Sequence, residues 1–169
     1  MNRRQWLGSG LAAAALLVGA GAAYEWSPDP VPADSHRFRF LHDADRAVLA
    51  AIGPVMLAGS LPVDDRSRNL FIEGFDTAVS GLTPSVQAEV AQLFMLLRVP
   101  ALRMIATGVM KPWHLASDDD IRRFLDTWRY SPIVKLRSAY DALHQLCYAA
   151  WYANPVAWIG TSYPGPPKV

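Results

Sequence analysis

The stretch SPIVKLRSAYDALHQLCYAAWYANP, residues 131–155, decides the fold class of this chain. Its apolar residues recur every three or four positions, which places them on one face of an α-helix. Ser131-Pro132 is a helix-start signal because proline fits the first helical turn, and Asn154-Pro155 ends the pattern. The predicted apolar stripe of this helix consists of Ile133, Leu136, Tyr140, Leu143, Cys147 and Ala150.

Four segments before this helix show the same periodicity. One helix opens near His42-Asp43, and a second runs from about Asp64 to Ser80. Pro54 is expected to kink or end the first of them, because proline removes a helical hydrogen bond. The apolar positions of these two helices are Val48, Ile52, Val55 and Met56, then Leu70, Phe71, Phe75 and Val79.

The next two helices begin at Thr83-Pro84 and after the capping residue Ser117. Pro100 should kink or split the first of these, which continues beyond it as a central, mostly buried helix. Two arginines inside 90–110 argue against a membrane span, since each costs about 2.5–3.5 kcal/mol at a bilayer centre. The apolar positions are Val86, Val90, Leu93, Phe94, Leu97, Leu102, Ile105 and Val109, then Ile121, Phe124, Leu125 and Trp128.

No alternating run predicts a β-strand, so the fold is predicted to be all-α. We expect a small bundle of about five helices with an extended, aromatic and proline-rich C-terminal tail. The predicted divisions are a signal peptide over 1–22, a linker over 23–40, a helical domain over 41–153 and the tail over 154–169.

The N-terminus resembles a twin-arginine export signal through Arg3, Arg4, Trp6 and Leu7. The apolar run that follows, 11–23, is shorter than the ~20 residues of a membrane-spanning helix. Cleavage after Ala20-Gly21-Ala22 is expected, with an uncleaved anchor helix as the alternative. The signal implies export of an already folded protein to the periplasm by the twin-arginine translocase.

The charge balance argues against nucleic-acid binding, and the cysteine content excludes an intramolecular disulfide. Without the signal the chain has 14 basic residues, two fewer than the whole chain's 16, against 15 acidic ones. Such a balance predicts no basic face for nucleic acid. Cys147 is the only cysteine, so an intramolecular disulfide is excluded. Its place in an apolar stripe predicts a buried thiol rather than a reactive or metal-binding one.

No motif predicts a catalytic residue, a bound cofactor or a metal site in this chain. The four histidines, His36, His42, His114 and His144, lack helical metal-ligand spacing, although convergence in space remains open. The acidic triplet 118–120 fits the first turn of a helix, where the helix dipole favours carboxylates, better than a cation site.

The segment 151–167 is too rich in proline for a helix and too aromatic for an idle linker. Its aromatic side chains must be buried, either against the end of the bundle or against a partner. Six tryptophans are also more than an isolated bundle of this size requires. The candidate partner-binding residues are Trp151, Tyr152, Trp158, Tyr163, Pro164 and Pro166.

Three segments carry a family resemblance: 40–46 leading into 50–55, then 152–155, and 163–167. Together they resemble the gluconate 2-dehydrogenase subunit 3 group, the small subunits of periplasmic flavin-dependent dehydrogenases. The resemblance covers the signal and both ends of the mature chain, while 60–130 carries no recognised motif.

This resemblance implies a non-catalytic helical subunit that binds, stabilises and co-exports a dehydrogenase of the glucose-methanol-choline (GMC) type. FAD is expected in that large subunit and not in this chain, and a cytochrome subunit is a further expected partner. Through this complex the chain is also expected to associate with the membrane. Two alternatives remain: a metal or redox enzyme built from scattered side chains, and a stand-alone periplasmic module that binds an apolar ligand between Phe71, Phe75, Phe94 and Met95.

Overall fold

The computed structural model describes residues 38–161, apart from the side chains of residues 160 and 161. This range contains no β-strand, so the all-α prediction is confirmed. Six α-helices replace the expected five because Pro100 splits one of them. They are α1 (Asp43–Met56), α2 (Asp65–Ser80), α3 (Pro84–Arg98), α4 (Pro100–Thr107), α5 (Asp118–Arg129) and α6 (Val134–Tyr152), and 3-10 helices span Trp113–Leu115 and Pro155–Thr161.

Several predicted features lie outside the described residues. These are the signal peptide over 1–22, most of the linker and the end of the tail. The individual residues concerned are Arg3, Arg4, Trp6, Leu7, Tyr163, Pro164 and Pro166.

The starts of α2 and α5 follow local capping chemistry, whereas the predicted cap Thr83 makes no side-chain capping bond to α3. Asp64 precedes α2 and its carboxylate accepts the Ser67 backbone N–H at 2.8 Å, which lowers the pKa of Asp64. Ser117 precedes α5 and accepts the Asp120 N–H at 3.2 Å. Capping side chains satisfy N–H groups that have no partner inside the helix. The acidic triplet therefore starts a helix, and two of its members also pair with Arg122 and Arg123.

α1 is the central helix of the bundle. It contacts α2, α3, α5 and α6, and its buried positions include Val48, Leu49 and Ile52. The helix ends at Met56, two residues after Pro54, as expected from the hydrogen bond that proline removes. The expectation that the helix around residues 90–110 is the central, mostly buried one is therefore wrong.

Pro100 breaks that helix completely. Val99 adopts an extended conformation, which the following proline favours, and α3 and α4 meet at 94°. Val109, expected on the same helix, lies beyond the end of α4. Among the described residues no single helix is long and apolar enough to cross a membrane. α3 and α4 reach that length and hydropathy only when taken together, despite their bend.

α2 and α6 contact each other more extensively than any other pair of described helices. At Gly74 a Cβ atom would lie only 2.5 Å from the carbonyl oxygen of Ala150, so this contact requires glycine. The predicted stripe of α6 is buried in its C-terminal half, at Leu143, Cys147 and Ala150, whereas Ile133 is 57% exposed. α6 also starts at Val134, later than Ser131-Pro132 suggested.

The described part of the tail is not extended. Pro155–Thr161 forms a 3-10 helix that packs against α6, which corrects the predicted extended path for these residues. Its physical basis is that Pro155 starts the turn while Trp158 anchors it: the Trp158 indole N–H donates to the Tyr152 carbonyl at 2.8 Å.

Candidate functional site

Three indole groups satisfy backbone carbonyls near the ends of helices. Trp113 Nε1 donates to the Leu97 carbonyl at 2.9 Å, and Trp128 Nε1 donates to the Ala106 carbonyl at 2.7 Å. Trp158 does the same at the end of α6. The last carbonyls of a helix have no intrahelical donor, so each indole satisfies a group that burial would otherwise leave unpaired. Three of the six tryptophans are thus accounted for inside the fold.

Trp151 was predicted to bind a partner, and the structure corrects this assignment. Its side chain is only 1% exposed and belongs to the hydrophobic core, so it leaves no surface for a partner to contact. Unlike the other three, its Nε1 has no hydrogen-bond partner among the described residues. Tyr152 and Trp158 are half-buried against the core, so the described aromatic residues seal the end of the bundle.

The segment from Pro100 to Leu115, called here the α4 arm, buries two polar side chains and exposes several apolar ones, although Val109 and Trp113 within it are buried. Its polar residues Arg103 and Thr107 are buried, at 4% and 8% exposure. The predicted burial of Ile105 is wrong, since this side chain is 68% exposed. The exposed apolar side chains of the arm are Met104, Ile105, Met110 and Leu115.

Internal polar contacts explain why the arm buries its polar side. The Arg103 guanidinium lies over the Trp113 ring at 5.7 Å and donates to the Met110 carbonyl at 3.4 Å. Thr107 Oγ1 donates to the Arg103 carbonyl at 2.8 Å and accepts the Val109 N–H at 3.1 Å. These contacts occupy the inner side of α4 and leave the apolar side facing outward.

Asp76 fixes the backbone that leads into α1. Its carboxylate, 5% exposed, accepts the backbone N–H groups of Arg39, Phe40 and Leu41 at 2.8–2.9 Å. Hydrogen bonds to a charged acceptor contribute more than neutral ones, about 1.5–3 kcal/mol each. Sequence reasoning missed this residue, and the available signal was a carboxylate on the apolar side of α2, next to Phe75 and one turn before Val79.

A buried ionic group links α1 to the end of α3. Asp45 accepts the His42 N–H at 3.0 Å and a longer contact, 3.4 Å, from the Arg98 guanidinium. Burial raises the pKa of Asp45, against the opposing effects of the His42 N–H and Arg98. The neighbouring Arg46 is 2% exposed, pairs with Asp43 and lies 4.6 Å over the Phe38 ring. The group therefore connects α1 to α3 although burial disfavours the charged form of Asp45.

The residues expected to line a ligand site form the core instead. Phe75 packs edge-on against Phe71 and Phe94, with centroids 6.4 and 5.7 Å apart, and all three rings are at most 1% exposed. Met95, the fourth expected member, is 44% exposed and does not complete a pocket with them. This geometry favours packing of the rings against one another over a ligand held between them.

Titratable and metal-ligating side chains are dispersed over the fold. Within residues 38–161, no group of three or more His, Cys, Asp or Glu side chains is placed to hold a metal ion. Cys147 is fully buried, as predicted, and burial raises the pKa of its thiol. A buried, protonated thiol is a poor nucleophile.

No protein-family model matches the chain, and comparisons with curated proteins and with solved structures give no match.

Proposed function

We propose that this chain is a non-catalytic small subunit that binds, stabilises and co-exports a folded FAD-dependent dehydrogenase of the GMC type. The twin-arginine segment with Arg3 and Arg4 supports export in the folded state. The resemblance of 40–55 and of the tail to subunit 3 of gluconate 2-dehydrogenase supports the kind of partner. FAD belongs to the large subunit, and a cytochrome subunit is a further partner of the periplasmic complex.

The observation that carries the proposal is the outward-facing apolar side of the α4 arm. Met104, Ile105, Met110 and Leu115 are 45–74% exposed within a segment of sixteen residues, Pro100 to Leu115. Clustered apolar exposure marks protein contact sites, and methionine is enriched in interfaces because its side chain adapts to the opposing surface. On this proposal the arm contacts the flavoprotein.

Affinity purification tests the partner directly. The tagged chain is expressed together with its genomic neighbours, and the absorption spectrum of the eluate is recorded. A second band of flavoprotein size with flavin absorbance is the expected result. Replacing Arg3 and Arg4 by lysine should then remove both chains from the periplasm while leaving the complex intact in the cytoplasm.

Paired substitutions test the contact surface. Ile105→Ser combined with Met110→Ser should weaken the complex by about 30-fold in Kd, since a central interface residue contributes about 2 kcal/mol. Val63→Ser is the matched control, because Val63 is 92% exposed and lies outside the arm. Equal affinity of both variants would reject the arm as the contact site. A colourless, partner-free monomer in the purification would reject the function itself.

A further inference from the structure

Four ring side chains form a continuous row along one side of α6. Tyr140, His144, Tyr148 and Tyr152 follow one another at four-residue steps. Their successive ring centroids are 5.8, 4.2 and 5.8 Å apart, and the His144–Tyr148 pair is stacked with an angle of 26°. These four residues are called the aromatic ladder below.

The aromatic ladder lies at the edge of the core, with part of each ring exposed. Tyr148 is 37% exposed, and the other three rings are half-buried, Tyr140 and Tyr152 with one side packed against the core. The buried side of α6 is occupied by other residues, namely Leu143, Cys147, Ala150 and Trp151. The ladder therefore presents a strip of ring surface about 18 Å long, from twelve residues of helix at about 1.5 Å each.

The C-terminal end of the ladder is also where the described chain ends. The Tyr152 hydroxyl is hydrogen-bonded to Ser60 at 2.9 Å, and the Tyr152 carbonyl accepts the Trp158 indole N–H. Trp158 holds the 3-10 helix Pro155–Thr161 against α6. Residue 162 therefore follows directly from a turn that is anchored at Tyr152.

The next eight residues, SYPGPPKV over 162–169, have the composition that aromatic surfaces bind. Segments rich in proline favour the polyproline II helix and dock on aromatic-lined grooves, because they lose little conformational entropy on binding. At about 3.1 Å per residue, the five residues 163–167 extend about 15 Å, which is enough to cover most of the ladder.

From the position and reach of this segment, we propose that the aromatic ladder is a binding surface for a polyproline-type peptide. Its occupant is residues 163–167 of the same chain, which fold back along α6 from Tyr152 towards Tyr140. This inference does not depend on the proposed function. It assigns Tyr163, Pro164 and Pro166 to the chain's own α6 and leaves the α4 arm as the surface for the dehydrogenase.

NMR of the full chain with labelled proline tests the proposal. Rings of the ladder should shift the proline side-chain resonances of 164, 166 and 167 upfield by their ring currents. Substitution of all three prolines by serine identifies these resonances by their loss, and it should also shift the ring resonances of His144. Tyr148→Ser should return the proline signals to their free-peptide positions. Tyr130→Ser is the control, since Tyr130 is 71% exposed and lies outside the ladder.

Two results would overturn the proposal. Proline signals at free-peptide positions in the parent chain, together with unchanged His144 resonances in the proline variant, would show an unoccupied ladder. Ring-current shifts that grow with protein concentration, with a dimer mass in light scattering, would assign the segment to the ladder of a second copy. If Tyr148→Ser lowers helicity by circular dichroism, the proline variant alone decides, because its substitutions lie beyond the helices that the structure describes.

Discussion

The α2–α6 crossing and the α4 arm are stabilised by different kinds of contact. At the crossing, Gly74 brings two backbones together, and most of the buried residues of both helices are apolar. In the arm, the inner side holds Arg103 and Thr107, and the contacts are hydrogen bonds and a cation–ring contact. The crossing is an ordinary helical core, whereas the arm exposes the apolar side chains of Met104, Ile105, Met110 and Leu115.

This difference shows that an apolar residue in a helix does not identify the buried side by itself. At the arm, Trp113 and the α5 residue Trp128 take the place of an apolar stripe, since their rings fill space and their N–H groups donate to carbonyls. Indole groups can replace a stripe because they combine a large apolar surface with one hydrogen-bond donor. The two regions should therefore respond differently to substitution.

The largest effect is expected at the crossing. Gly74→Ala places a methyl group 2.5 Å from the Ala150 carbonyl oxygen, and backbone on both sides must move. Overpacking of this kind costs about 3 kcal/mol in free energy of unfolding. Urea denaturation measures the cost, with Gly81→Ala as control because its nearest contact would be an ordinary 3.6 Å. Similar stabilities of the two variants would show that the helices do not cross at Gly74.

The second-largest effect is expected from Trp128, whose indole N–H is hydrogen-bonded, in comparison with Trp151, whose indole N–H has no such bond within residues 38–161. Trp128→Phe removes the donor to the Ala106 carbonyl, whereas Trp151→Phe removes an indole N–H that has no partner among the described residues. A buried carbonyl left unpaired costs about 1–3 kcal/mol, so Trp128→Phe should be the more destabilising by about 2 kcal/mol. Denaturation of both variants provides the comparison. Equal losses would mean that the indole bond contributes nothing to the arm.

A pH-dependent effect is expected at the joint between the central helix and α3. Burial raises the pKa of Asp45 above its ordinary 3.8, so the folded state holds the proton more tightly than the unfolded state. The contribution of Asp45 to stability is then greatest below pH 3.8 and declines as pH rises through the raised pKa. Asp45→Asn lacks this decline. Its free energy of unfolding, taken relative to that of the parent, should therefore increase as the pH rises from 3.8 through the raised pKa of Asp45.

Denaturation at pH values on both sides of the window measures this difference. The N-cap carboxylates Asp64 and Asp120, whose pKa values are lowered, are present in both proteins and therefore cancel. A difference that stays constant with pH would contradict a raised pKa at Asp45.

The smallest effect on stability is expected on the outer side of the arm. Ile105→Ser should change the free energy of unfolding by no more than about 0.5 kcal/mol, as is usual for exposed positions. Leu143→Ser, at a fully buried position of α6, is the opposite case and should cost several times more. A large loss for Ile105→Ser would show that the arm packs its apolar side within the chain.

The sequence predicted the features that depend on neighbouring residues. Periodicity located the helices, Ser117 and Asp64 were recognisable caps, and the place of Cys147 in a stripe indicated its burial. Each of these depends on residues within one or two helical turns. The proline rule also predicted a break at Pro100, although not the 94° angle.

Features that depend on distant partners had no such signature. Asp76 accepts N–H groups from residues 35–37 positions earlier, and Trp128 bonds a carbonyl 22 positions away. Burial of Arg103 likewise requires the Trp113 ring beside it. Periodicity contains no information on these pairings, so the orientation of the arm and the roles of the tryptophans could not be predicted.

The hydrogen bonds of Asp76 also impose an order on biosynthesis. The residues that Asp76 holds, 39–41, leave the ribosome before it by 35 residues or more. At about 5–20 residues per second, that delay is about 2–7 s. The hydrogen bonds to residues 39–41 therefore form only after synthesis has reached Asp76, within α2. The carboxylate that fixes these residues is thus always made after them.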